Sequence, residues 1–184
     1  MAITINGNGT ITGVTSGAGN LVKSTLIYNS ATEVSSSSTT ATQLSSYDFF
    51  FNTDLVASGT FTKDFDSSTT QIIVGGTFNS RCTDNSHSLV MWVGTSTNPS
   101  GGLIHLLDDQ YAMSGVQYGR QKACHRVDGA FTGLGTGSHT FYIAAGRGDS
   151  GAMRGTINTN PGSSHTDCSN FTTRSQIWAW EVRI

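Results

Sequence analysis

QLSSYDFFFNTDLVASGTFTKDFDSSTTQIIVGGTF, residues 43–78, is the stretch that decides the fold. Three consecutive phenylalanines, Phe49 to Phe51, are followed by apolar–polar alternation from Leu55 to Lys63. A Ser-Ser-Thr-Thr reversal then leads into the β-branched run that ends at Phe78. Alternation with a period of two, bounded by Asp, Asn, Ser and Gly, is the pattern of half-buried strands joined by turns. The same grammar recurs at 88–93, 102–107, 113–118, 123–128, 139–145 and 176–184, and no segment carries a 3.6-residue apolar period. Eight or more short strands in a chain of 184 residues predict an all-β protein, a jelly-roll β-sandwich.

Composition agrees. Only 12% of residues are charged, with Lys confined to 23, 63 and 122 and Glu to 33 and 181, so polarity comes from Ser, Thr, Asn and Asp, which favour strands, turns and caps. The net charge of -2 gives no basic field for a phosphate backbone, so nucleic acid is not an expected partner. No apolar run is long enough to span a bilayer and the first residues lack the pattern of a secretory signal, so no membrane association is expected. Cys82, Cys124 and Cys168 are odd in number and widely spaced, which predicts reduced thiols rather than a disulfide framework.

Ahead of residue 43 the chain changes character. In ITINGNGTITGV, residues 3–14, Ile3, Ile5, Ile11 and Val14 alternate with polar residues around Asn-Gly turn signals, as in a small hairpin or extended arm. Two short strands are marginal alone in water, so this arm needs a partner. The tract Ser35 to Thr40 reads as a linker. The expected organisation is an attachment arm over 1–34, a Ser/Thr linker over 35–42 and a jelly roll over 43–184.

Alternation also predicts faces. In 139–145 the inward set is Phe141, Ile143 and Ala145, with Tyr142 and Ala144 opposite; in 175–184 the wholly apolar set Trp178, Trp180, Val182 and Ile184 is expected to face the core or a subunit contact. Phe49, Phe51, Trp178 and Trp180 are therefore the expected core or trimer-packing residues. Two apolar faces on one strand point to burial between subunits.

The opening ITINGNGTITGV resembles the starts of fibre and decoration proteins of tailed bacteriophages. GSHTFYIAAGR (137–147) and the closing SQIWAWEVRI (175–184) resemble the phage relatives of the jelly roll shared by complement globular heads and tumour-necrosis-factor ligands. The resemblance implies a homotrimer of jelly rolls located in the virion and anchored to other virion proteins of capsid, neck or tail by its N-terminal arm. It implies a head or tail fibre, or a capsid decoration subunit, with the receptor-binding tip of a tail fibre as the alternative.

Candidate chemistry is sparse, and neither enzymatic activity nor a cofactor is expected. His87, His105, His125, His139 and His165 show no metal-protease spacing, and a Cys124/His125/Cys168/His165 zinc cluster is opposed by strand geometry, which sends adjacent residues to opposite faces. Asp64 and Asp66 would share a strand face, and solvated carboxylates are expected there rather than a glycosidase pair or a Ca²⁺ site. Gly148-Asp149-Ser150-Gly151 looks like a serine-protease signature, and Arg147 to Ser150 like an integrin-binding tetrapeptide; a tight Gly-rich turn explains both. Asn8-Gly9-Thr10 and Asn170-Phe171-Thr172 are formal sequons. Tyr111 and Tyr118, with Asp108 and Arg120 nearby, form the candidate contact for host-surface glycans, since aromatic faces stack on sugars and the charged groups hydrogen-bond them.

Overall fold

The computed structural model describes residues 4–5, 11–12, 21–82, 86–111, 121–147, 155–158 and 174–184. Its strands are β1 (Thr4–Ile5), β2 (Ile11–Thr12), β3 (Leu21–Ser30), β4 (Val34–Ser36), β5 (Thr42–Gln43), β6 (Phe50–Lys63), β7 (Thr70–Cys82), β8 (Ser86–Val93), β9 (Leu103–Tyr111), β10 (Gln121–Phe131), β11 (Gly137–Arg147), β12 (Gly155–Ile157) and β13 (Ser175–Arg183). β8 pairs with β9, β7 with β10, β6 with β11 and β3 with β13, all antiparallel, so each pair encloses the previous one in sequence. A long hairpin nested in this way and rolled up is a jelly roll; rolling adds the lateral pairings β13 to β7 and β11 to β8.

Sheet I runs β3-β13-β7, with β10 on the other edge of β7, and sheet II runs β5-β6-β11-β8-β9. On β7 the edge held by β13 at residues 70–77 passes to β12 at residues 80–82. The changeover is closed by hydrogen bonds: the Asn79 amide donates to Ser175 Oγ (3.0 Å), and the Asn158 amide donates to the Asn79 carbonyl (2.8 Å). Buried backbone groups at the junction are thus satisfied.

The core lies between the sheets. Leu55, Ala57 and Phe61 of β6, Leu89, Met91 and Val93 of β8, and Phe141, Ile143 and Ala145 of β11 meet Ile72, Val74 and Phe78 of β7, Val127 and Phe131 of β10, and Ile177 and Ala179 of β13. Phe131 and Phe141 meet edge to face across the gap, with ring centroids 5.2 Å apart.

The expected division at 35–42 does not separate an arm from the jelly roll. β3 pairs along β13, β4 pairs with β12, and Ile27 and Tyr28 pack on the main core. The physical reason is that β13 needs a neighbour on its second edge, and Leu21 to Ser30 supplies one. Ile5 pairs with Ile11 in the separate two-strand sheet β1-β2, whereas Ile3 and Val14 fall outside the described residues. The expected strand at 113–118 also falls outside them.

Candidate interaction surface

β13 turns away from the core the face that was expected to meet either the core or a subunit contact. Ser175, Ile177, Ala179 and Glu181 are buried, while Trp178 is 38% exposed and Trp180 and Val182 are half-buried on the outer face of sheet I. Trp178 and Trp180 are therefore not core residues.

The physical reason is the company that Glu181 keeps. Its carboxylate accepts hydrogen bonds from the backbone amides of Asp64 (2.9 Å) and Phe65 (3.0 Å) and from Thr70 Oγ1 (2.7 Å). Lys63 Nζ lies 3.9 Å away, both side chains are inaccessible to solvent, and the ammonium donates to the carbonyls of Phe65 and Asp66. One buried, fully bonded carboxylate fixes the parity of the strand, and the indoles take the other face.

That outer face has room for them. Trp178 sits opposite Leu26 and Gly75, and Trp180 opposite Ser24 and Ile73. A side chain at Gly75 would come within 2.8 Å of the Trp180 ring, so the glycine lets the indole lie against the sheet. Arg126 and Asp128 of β10, on this same face, pair with each other at 3.1 Å. At the end of the sheet, half-exposed Phe65 carries the Arg183 guanidinium 5.6 Å from its ring centroid.

The outer face of sheet II is also apolar, and the chain covers it itself. The segment from Leu44 to Phe49 folds back across it, held by Leu44 N to Phe49 O (2.8 Å) and Ser45 N to Thr97 O (2.9 Å). Phe49 and Phe51 are buried there with Val90, Trp92 and Ala144, against half-buried Tyr142. Trp92 stacks on Tyr142 at 5.6 Å and donates its indole N–H to the Thr95 carbonyl (2.8 Å). The second apolar face of β11, expected to be buried between subunits, is thus covered within one chain.

The remaining candidate residues are dispersed. Asp64 and Asp66 do not share a strand face, because β6 ends at Lys63; Asp64 pairs with Lys23 at 3.0 Å. Asp66 Oδ1 accepts from both the hydroxyl and the amide of Ser68, and those bonds hold its carboxyl below the usual Asp range. This depressed value contributes stability above the ordinary Asp range, and the contribution is lost as pH falls through the folded value. Ser68→Ala is expected to raise the Asp66 pKa toward the ordinary value, read by carboxyl NMR titration; an unchanged value would mean that the Ser68 hydroxyl is not the cause.

Asp108 and Tyr111 lie on β9, and Tyr118 and Arg120 fall outside the described residues, as do Cys168, His165, the loop from Gly148 to Gly151 and both sequons. A cleft of about 610 Å³ opens at one end of the sandwich, between the loop after β8 and the loop before β11, lined by Thr95, Ser100, Ser138 and His139. His139 Nε2 is 2.8 Å from the Gly135 carbonyl. Sequence reasoning missed the Lys63–Glu181 pair, although the scarcity of Lys and Glu in so polar a chain marks each one as worth locating.

No family model matches the chain, and no curated protein matches it. Among solved structures, it is similar to dimeric latent PorU from Porphyromonas gingivalis (TM-score 0.40, 9% identity, covering 95% of this chain and 14% of that one). It is also similar to the infectious bursal disease virus Gx strain structure (0.39, 8%, 88% and 32%) and to the infectious bursal disease virus VP2 subviral particle (0.38, 9%, 89% and 34%). The chain spans between 14% and 34% of each of these three chains, and likeness at this level assigns no role.

Proposed function

We propose that the protein is a non-enzymatic structural subunit of a virion, a fibre or decoration protein whose jelly rolls assemble as a homotrimer. The observation that carries this reading is the outer face of sheet I, where Trp178, Trp180, Leu26, Ile73 and Val182 form an aromatic and aliphatic surface on a chain with only 12% charged residues. Large exposed apolar patches mark interaction sites. The β1-β2 hairpin, with Ile5 opposite Ile11, supports an attachment role for the segment ahead of β3. The resemblance of residues 3–14 to the openings of phage fibre and decoration proteins points the same way.

Because sheet I begins at Leu21, the attachment segment to remove is 2–20 and not 2–34. Deleting 2–20 is expected to leave a folded body that no longer joins particles, scored by occupancy in purified virions. Incorporation at wild-type occupancy would overturn the attachment role.

A further inference from the structure

We infer that the outer face of sheet I is the surface on which a second copy of this chain seats, with Trp178 and Trp180 at its centre; this rests on reading the protein as a self-assembling subunit. Three observations converge. First, of the two apolar outer faces, the one on sheet II is covered by Leu44 and Phe49 of the same chain. On sheet I, Trp178 remains 38% exposed and Leu21 47% exposed.

Second, the size is right. Four strands about 4.8 Å apart, followed over about nine residues at ~3.3 Å each, offer roughly 600 Å² per copy; two copies would bury roughly 1,200 Å², the lower bound of specific interfaces.

Third, the charge suits a second copy. Arg126 and Asp128 of β10 pair with each other at 3.1 Å, so neither needs a partner of opposite charge across the contact. The face also suits protein better than sugar. Leu26, Ile73 and Val182 surround the indoles, and the neighbouring amides are engaged: Gln176 Nε2 and Arg174 both donate to Asn29 Oδ1 (3.4 and 3.1 Å).

The test is light scattering on the full-length protein and on Trp178→Glu and Leu26→Glu, with circular dichroism to check folding. The wild type is expected to be an oligomer, and both variants folded monomers. Variants that stay oligomeric would overturn the assignment of this face while the self-assembly reading stands; a wild type that is monomeric at micromolar concentration would overturn both. A dilution series of the wild type needs no variant: Trp92 is fully buried, so dissociation is expected to shift the emission of Trp178 and Trp180 to the red. Dissociation with no shift would overturn the assignment. So would a monomer whose emission responds to dextran, which would give the face to a glycan.

Discussion

Replacing Glu181 by alanine is expected to destabilise the protein by about 3–5 kcal/mol, the usual cost of breaking a buried ion pair from one side. In a domain of this size that is a fall of roughly 10 °C in melting temperature. The variant would leave the Lys63 ammonium buried with only the Phe65 and Asp66 carbonyls, and would strip the Asp64 and Phe65 amides and the Thr70 hydroxyl of their acceptor. Glu181→Gln keeps the shape and an acceptor oxygen, so its loss should be smaller. Urea unfolding of the two variants separates charge from hydrogen bonding. If Glu181→Ala melts within about 2 °C of the wild type, the network does not hold the β6–β7 turn to β13.

Gly59→Ala is the second large effect. A Cβ at Gly59 of β6 would stand 1.9 Å from the Ile27 carbonyl oxygen of β3 and 2.6 Å from its carbonyl carbon. The obstacle is backbone, so no rotamer change relieves it. β3 must move off β6 and loosen its pairing with β13. A loss of about 3 kcal/mol is expected, at the upper end of overpacking costs. Gly135→Ala is the matched control, because a Cβ there meets nothing within 4 Å; its effect should stay within about 1 kcal/mol in either direction. Equal stabilities for the two variants would contradict the close crossing of β3 over β6.

These two sites also mark where the sequence stops being readable. β11 was legible: Phe141, Ile143 and Ala145 point inward and Tyr142 and Ala144 outward, because alternation runs uninterrupted there. β13 was not, since its parity is fixed by groups at 63–70, more than a hundred residues away, and residue type alone favours burying two tryptophans over a glutamate. β3 was hidden for a different reason. Its register with β13 shifts twice, between Ile177 and Trp178 and between Glu181 and Val182, which breaks the alternation that would have identified it as a strand. The covering of sheet II was invisible because residues 52–55 of β6 stand opposite the single residue Ala145 of β11. This offset sends Phe49 and Phe51 to the outer cluster while Leu55 and Ala57 reach the main core.

The nested pairing has a consequence in time as well as in space. Chain closure is easiest for the innermost pair, β8 with β9, where Trp92 meets Leu103, and hardest for the outermost, where Ser30 meets Ser175. Loop-closure entropy grows with that separation, and such long-range pairings form late. Trp178 and Trp180 are carried by the outermost pair, so their flat surface is completed only when the rest of the roll is already wound. A chain emerging from the ribosome therefore completes this exposed aromatic surface only as folding finishes, and a half-wound roll does not yet present it.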